Sequence, residues 1–157
     1  MDRIAAEILK QELLADADVL CLAVTAARQR IEEDFPGSLP ACGYELNRTY
    51  NILEKGFERI CEAFENHFEK RGAFHEKLIE RMRLDLPGIR PAFLPADQVH
   101  AVRELKGFRH VFRHAYDLTL LPDRLIQLVQ QAEQVADGYT RWIESFVEAI
   151  GPHLEEA

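Results

Sequence analysis

Residues 44–71 read YELNRTYNILEKGFERICEAFENHFEKR. Within that run Leu46, Tyr50, Leu53, Phe57, Ile60, Phe64 and Phe68 recur every three or four positions. At about 3.6 residues per turn this spacing draws one continuous apolar stripe down a helix. The aromatic members alternate with aliphatics at helical spacing, so they are assigned to packing rather than to stacking on bases. A long helix with one apolar face needs a partner to cover that face, and the flanking sequence supplies several.

Upstream, residues 2–31 contain neither Pro nor Gly and carry Leu13, Ala17, Leu20, Val24 and Ile31 at helical spacing, which predicts a first long helix. Glu32 to Gly43 holds Pro36, Gly37, Ser38, Pro40 and Gly43 and reads as a turn, so the helix beginning near Tyr44 packs antiparallel to the first. Downstream, Gly72 breaks the second helix and His75 to Leu84 supports a shorter third. Leu86 to Pro95, with three prolines, is a loop. Asp97 can cap a fourth helix running to about Ala115. Pro122 and Asp123 open a fifth, which carries Leu125, Leu128, Val129, Ala132, Val135, Trp142, Ile143 and Phe146 and stops at Gly151-Pro152. No segment alternates with the period of a strand, and no internal repeat is visible. The expectation is a single all-α domain over residues 1–157, a bundle of about five helices with its long helices antiparallel.

With 27 acidic against 19 basic residues and a formal net charge of -8, the surface as a whole does not suit coating nucleic acid; any RNA contact is local. Cys21, Cys42 and Cys61 form no CxxC pair and have no histidine at zinc-ligand spacing, so they read as reduced core or near-core thiols of a cytoplasmic protein. The charged start, Met1-Asp2-Arg3, is not a signal peptide, and no apolar run approaches the roughly 18 residues that cross a bilayer. No phosphate-binding glycine loop and no metal-ligand set is present, so neither a cofactor nor a metal is expected.

Against the acidic background, Arg103 to Tyr116 gathers four cations (Arg103, Lys106, Arg109, Arg113) and two imidazoles (His110, His114). At about 100° per residue, Ala101, Leu105, Phe108, Val111, Phe112 and Ala115 fall on one arc and the cations and imidazoles on the opposite one. The spacing predicts a helix that buries one face and presents a basic one. Arg109 and His114 are about 140° and about 7.5 Å apart along such a helix, flanking a groove rather than touching. A fixed guanidinium beside an imidazole that titrates near neutrality suits phosphodiester cleavage. The imidazole takes a proton from a 2′-hydroxyl, and the guanidinium holds the charge growing on phosphorus. His67, His75, His100 and His153 have no such setting and read as structural or exposed. Arg90, between two turns, suits either a phosphate or the loop carbonyls.

Arg109-His110-Val111-Phe112-Arg113-His114-Ala115-Tyr116 has the form R-x4-H-x-Y and resembles the motif of the HEPN ribonuclease superfamily, most closely that of HepT-like toxins. Tyr50 to Lys55 in the helical hairpin, His75 to Leu78, the Gly88-Ile89-Arg90-Pro91 loop and the Phe108 entry are similar in order and spacing, so the likeness covers most of the chain. Where such proteins often carry Asn or Asp after the motif arginine, this chain has His110. The resemblance implies an all-α HEPN-like fold and a homodimer whose motif helices meet across the two-fold axis. It also implies metal-independent RNA endonuclease activity and a cognate minimal nucleotidyltransferase as antitoxin. By position it implies that Arg109 and His114 are catalytic and that Tyr116 is adenylylated. His110, Arg113, Lys106 and Arg103 would then contact the RNA. Two other readings stand beside it: a non-catalytic subunit that binds a nucleotidyltransferase through the same face, and a plain dimerisation module in which the cluster is incidental.

Overall fold

The structure, a computed structural model, describes residues 1–33, 35–65 and 74–153. They form five α-helices: α1 (Arg3–Glu32), α2 (Ser38–Phe64), α3 (Phe74–Arg83), α4 (Val99–His114) and α5 (Pro122–Ile150). Short 3-10 turns precede α4 and follow α5. Among the described residues there is no strand; Leu86 and Arg90 form an isolated antiparallel bridge. The fold is an all-α, HEPN-like bundle. No helix among the described residues is long and apolar enough to cross a membrane.

Asp2 starts α1 by accepting the Ala5 N–H on its side chain at 2.7 Å. The helix buries Leu9, Leu13, Ala17, Leu20 and Val24 along one face. The turn that follows is shorter than the proline and glycine content suggests, because α2 already begins at Ser38. Gly37, at φ 99°, takes the left-handed conformation at the N-cap, and Pro40 falls in the first helical turn, where no backbone N–H is needed. The hairpin is antiparallel: Arg59, near the end of α2, reaches Glu12 and Asp16, near the start of α1, both at 2.9 Å. On the other side of α1, Arg28 forks onto Glu133 of α5 at 2.7 and 2.8 Å.

The stripe on α2 is the centre of the core. Leu46, Tyr50, Leu53, Phe57 and Ile60 are fully buried, and Phe64 packs edge-on to Phe146 of α5 at 5.7 Å. Phe68, His67 and the expected break at Gly72 lie outside the described residues. The proline-rich loop is pinned to this core by Phe93, whose ring meets those of Phe57, Tyr139, Trp142 and Phe146 at 5.4–6.2 Å. Beneath it, the Arg90 guanidinium is fully covered. It donates to Glu65 (2.5 Å) and to the carbonyls of Arg81, Leu84 and Pro91 (3.0–3.2 Å). Of the two roles open to Arg90, the loop carbonyls have it.

Asp97 does not cap α4; it sits in the preceding 3-10 turn, and Gln98 occupies the N-cap without a side-chain bond. α4 runs antiparallel to α2 at close range. A Cβ on Gly43 would stand 2.6 Å from the Phe112 ring, so only glycine lets that ring lie against the α2 backbone. Cys42 and Cys61 are buried, as a core reading requires, whereas Cys21 faces outward; all three are free. Burial pushes the Cys42 thiol up to about 11 and the Cys61 thiol up to about 12, which leaves both inert.

Candidate active site

The basic segment forms α4 through His114, but its buried face is turned relative to the arc read from spacing. Val99, Ala101, Val102, Leu105 and Arg109 are buried, while Val111 and Ala115 are exposed. Arg109 was placed on the polar arc; it is in fact turned inward, its side chain only 11% exposed. The reason lies on α2. Asn51 accepts the Arg109 Nε–H at 2.5 Å, Glu54 lies 3.7 Å from Nη2, and the guanidinium sits 5.6 Å above the Tyr50 ring. A buried cation requires such a carboxylate. No terminal Nη group of Arg109 is in a hydrogen bond among the described residues; Nη2 has only the longer ion pair with Glu54.

Arg109 lines a cavity of about 520 Å³ together with His75, Glu76, Lys106, Gly107, His110 and Val111. Thus Arg109, His110 and Lys106 share one wall. His114 does not line the cavity; it lies at the exposed end of α4, its ring 4.8 Å from that of His110. His114 Nδ1 is 2.8 Å from the His110 carbonyl oxygen, which can only accept, so Nδ1 carries the proton and Nε2 is left to solvent. A face of imidazoles therefore runs from the cavity to the helix end.

The remaining cations divide. Arg103 and Lys106 are tied to α3: Arg103 bonds Glu76 (2.8 Å) and Glu80, and Lys106 bonds Glu76. The Lys106 bond first, and Arg103 after it, hold the Glu76 carboxyl below its ordinary value. Arg113 is exposed and has no ion-pair partner among the described residues. Tyr116, two residues past the helix, is completely exposed rather than packed against its end. No group of acidic, thiol or imidazole side chains that could hold a metal ion occurs among the described residues.

Three side chains of this site escaped the reading of α4 alone: Asn51, Glu54 and His75. His75 Nδ1 bonds Glu54 across 21 positions of chain, so the partner it lacked in local sequence comes from α2. Asn51 and Glu54 follow Tyr50 by one and four positions, flanking the apolar stripe. Polar residues at the margin of an otherwise apolar stripe were the available signal.

Residues 41–150 match the family described as HepT-like protein, and the chain belongs to that family. Among curated proteins and among solved structures nothing matches.

Proposed function

We propose that this chain is the toxin component of a toxin–antitoxin system, a metal-independent endoribonuclease in which residues 1–157 form one domain and two copies form the working homodimer. Membership of the HepT-like family supports a HEPN-type component of such a system. The ribonuclease reading is carried by one observation: Arg109, whose terminal N–H groups make no hydrogen bond among the described residues, lines a cavity with Lys106 and His110, beside an exposed His114.

In this reading Arg109 holds the scissile phosphate and His114 acts as general base or acid in a cleavage by 2′-hydroxyl attack, giving a 2′,3′-cyclic phosphate. His110 and Arg113 contact the RNA directly. Lys106 and Arg103 do so by exchanging Glu76 and Glu80 for phosphate oxygens. His114 stands off the cavity of its own protomer, and a two-fold axis crossing α4 at a right angle would bring a partner's His114 to it. Tyr116 is the adenylylation site: its exposure suits a cognate nucleotidyltransferase, and an added phosphodiester anion would compete for Arg113 and block the cleft.

A second reading, a non-catalytic subunit that binds the nucleotidyltransferase, is favoured by the internal pairing of Arg103 and Lys106, which lowers the charge offered to RNA. It releases no new RNA ends at any protein concentration. Subunit mixing tests the first reading. Arg109→Ala and His114→Ala dimers are each inactive, and their mixture regains about a quarter of wild-type activity, because half the dimers carry one intact shared site. No recovery on mixing would contradict a shared cleft.

A further inference from the structure

We propose that His75, oriented by Glu54, is a second catalytic imidazole of the same cleft and serves as its general base; this rests on the ribonuclease reading above. Transfer of a phosphodiester to a 2′-hydroxyl moves two protons, one off the attacking oxygen and one onto the leaving oxygen. A single imidazole cannot be base and acid in the same step. The cavity holds two imidazoles, His110 on α4 and His75 on α3, and of the two His75 has a carboxylate on Nδ1.

The ring of His75 is fixed on three sides. Glu54 of α2 bonds Nδ1, and the rings of Tyr50 and Phe74 meet it edge-on at 6.5 and 5.4 Å. A carboxylate only accepts, so Nδ1 carries the proton and Nε2 has a free lone pair. Yet the side chain remains 41% exposed, and it lines the cavity opposite the cations. The charged and titratable groups around it are Glu54 and Tyr50 on α2, Glu76 on α3, and Lys106, Arg109 and His110 on α4. Glu54 therefore ties the phosphate-binding arginine and the imidazole to one carboxylate, and it would stabilise the imidazolium formed on proton uptake. If His75 only anchored α3, nothing would require its second nitrogen to be left unbonded in a cation-lined cavity.

With the scissile phosphate on the Arg109 terminal N–H groups, His75 Nε2 takes the 2′-hydroxyl proton as O2′ bonds to phosphorus. The bond from phosphorus to O5′ breaks, and His114, starting as the imidazolium with a proton on Nε2 as well as Nδ1, gives the Nε2 proton to O5′. The products are a 2′,3′-cyclic phosphate and a 5′-hydroxyl, and the two imidazoles return to their starting states by exchange with water.

The test is the pH–rate profile for cleavage of a short RNA oligonucleotide by the full-length dimer, as wild type, His75→Asn and His75→Ala. An asparagine amide sits where Nδ1 does and still donates to Glu54, so it keeps the anchor and removes only the distal nitrogen. Both variants should keep the wild-type circular dichroism spectrum, cut RNA about 100-fold more slowly and lose the acid limb of the profile. Added imidazole should restore part of the rate to His75→Ala. Wild-type rate and an unchanged profile in His75→Asn would overturn the inference while leaving the ribonuclease reading intact. Wild type that cuts no RNA would overturn both.

Discussion

Arg90 and Arg109 are two buried arginines, each held by a glutamate of α2 or of the residue just after it, and they differ in what is left over. Arg90 spends its Nε and both Nη groups on Glu65 and three carbonyls. Arg109 spends Nε on Asn51, its terminal groups make no hydrogen bond among the described residues beyond the 3.7 Å ion pair with Glu54, and the residue lines a cavity. A saturated guanidinium is a structural clamp, and one with donors to spare is a binding group. Burial alone does not separate the two; the count of satisfied N–H groups does.

Substitution should separate them in the same way. Arg90→Ala leaves Glu65 with Arg81 alone and strips three carbonyls of their donor, and should cost about 3 kcal/mol of stability in denaturant titration, with the folded fraction still cutting RNA. Arg109→Ala should do the reverse. Cleavage falls about 100-fold or more, while stability drops by about 1–2 kcal/mol, because Glu54 keeps His75. Equal losses of stability in the two variants would erase the distinction.

A weaker effect should appear on acidification. Glu76, whose carboxyl is held below its ordinary value of 4.5 by Lys106 and Arg103, favours folding at neutral pH. That contribution is lost as pH falls below the ordinary value and through the lowered one. Hydrogen exchange should then show the α3–α4 contact loosening over that range in wild type, and the loosening should be absent in Glu76→Gln. The smallest effect on the fold belongs to Tyr116→Phe, expected within about 0.5 kcal/mol of wild type. In the presence of a cognate nucleotidyltransferase, ATP and magnesium, wild type should gain the mass of AMP and Tyr116→Phe should not.

The parts of this molecule that were legible in the sequence are those decided by neighbours within a turn or two. The α2 stripe, the long α1 and the Pro122 start of α5 all follow from local spacing and capping chemistry. The start of α2 was misplaced because Pro36, Gly37 and Pro40 look like a single turn, although a proline in a first helical turn breaks nothing. The α4 segment was legible as a helix, and the inward turn of Arg109 was not, since the groups that draw it in are Asn51 and Glu54, more than fifty positions away. His75 was set aside for the same reason. Its partner is on another helix, and no pattern within α3 marks it.

The most direct measurement is the chemistry of the RNA ends left by the purified protein in EDTA. A metal-independent cleavage through the 2′-hydroxyl predicts new 2′,3′-cyclic phosphate and 5′-hydroxyl ends from wild type and none from His114→Ala. Wild type that leaves RNA intact, that needs a divalent ion, or that is matched by His114→Ala would contradict the account.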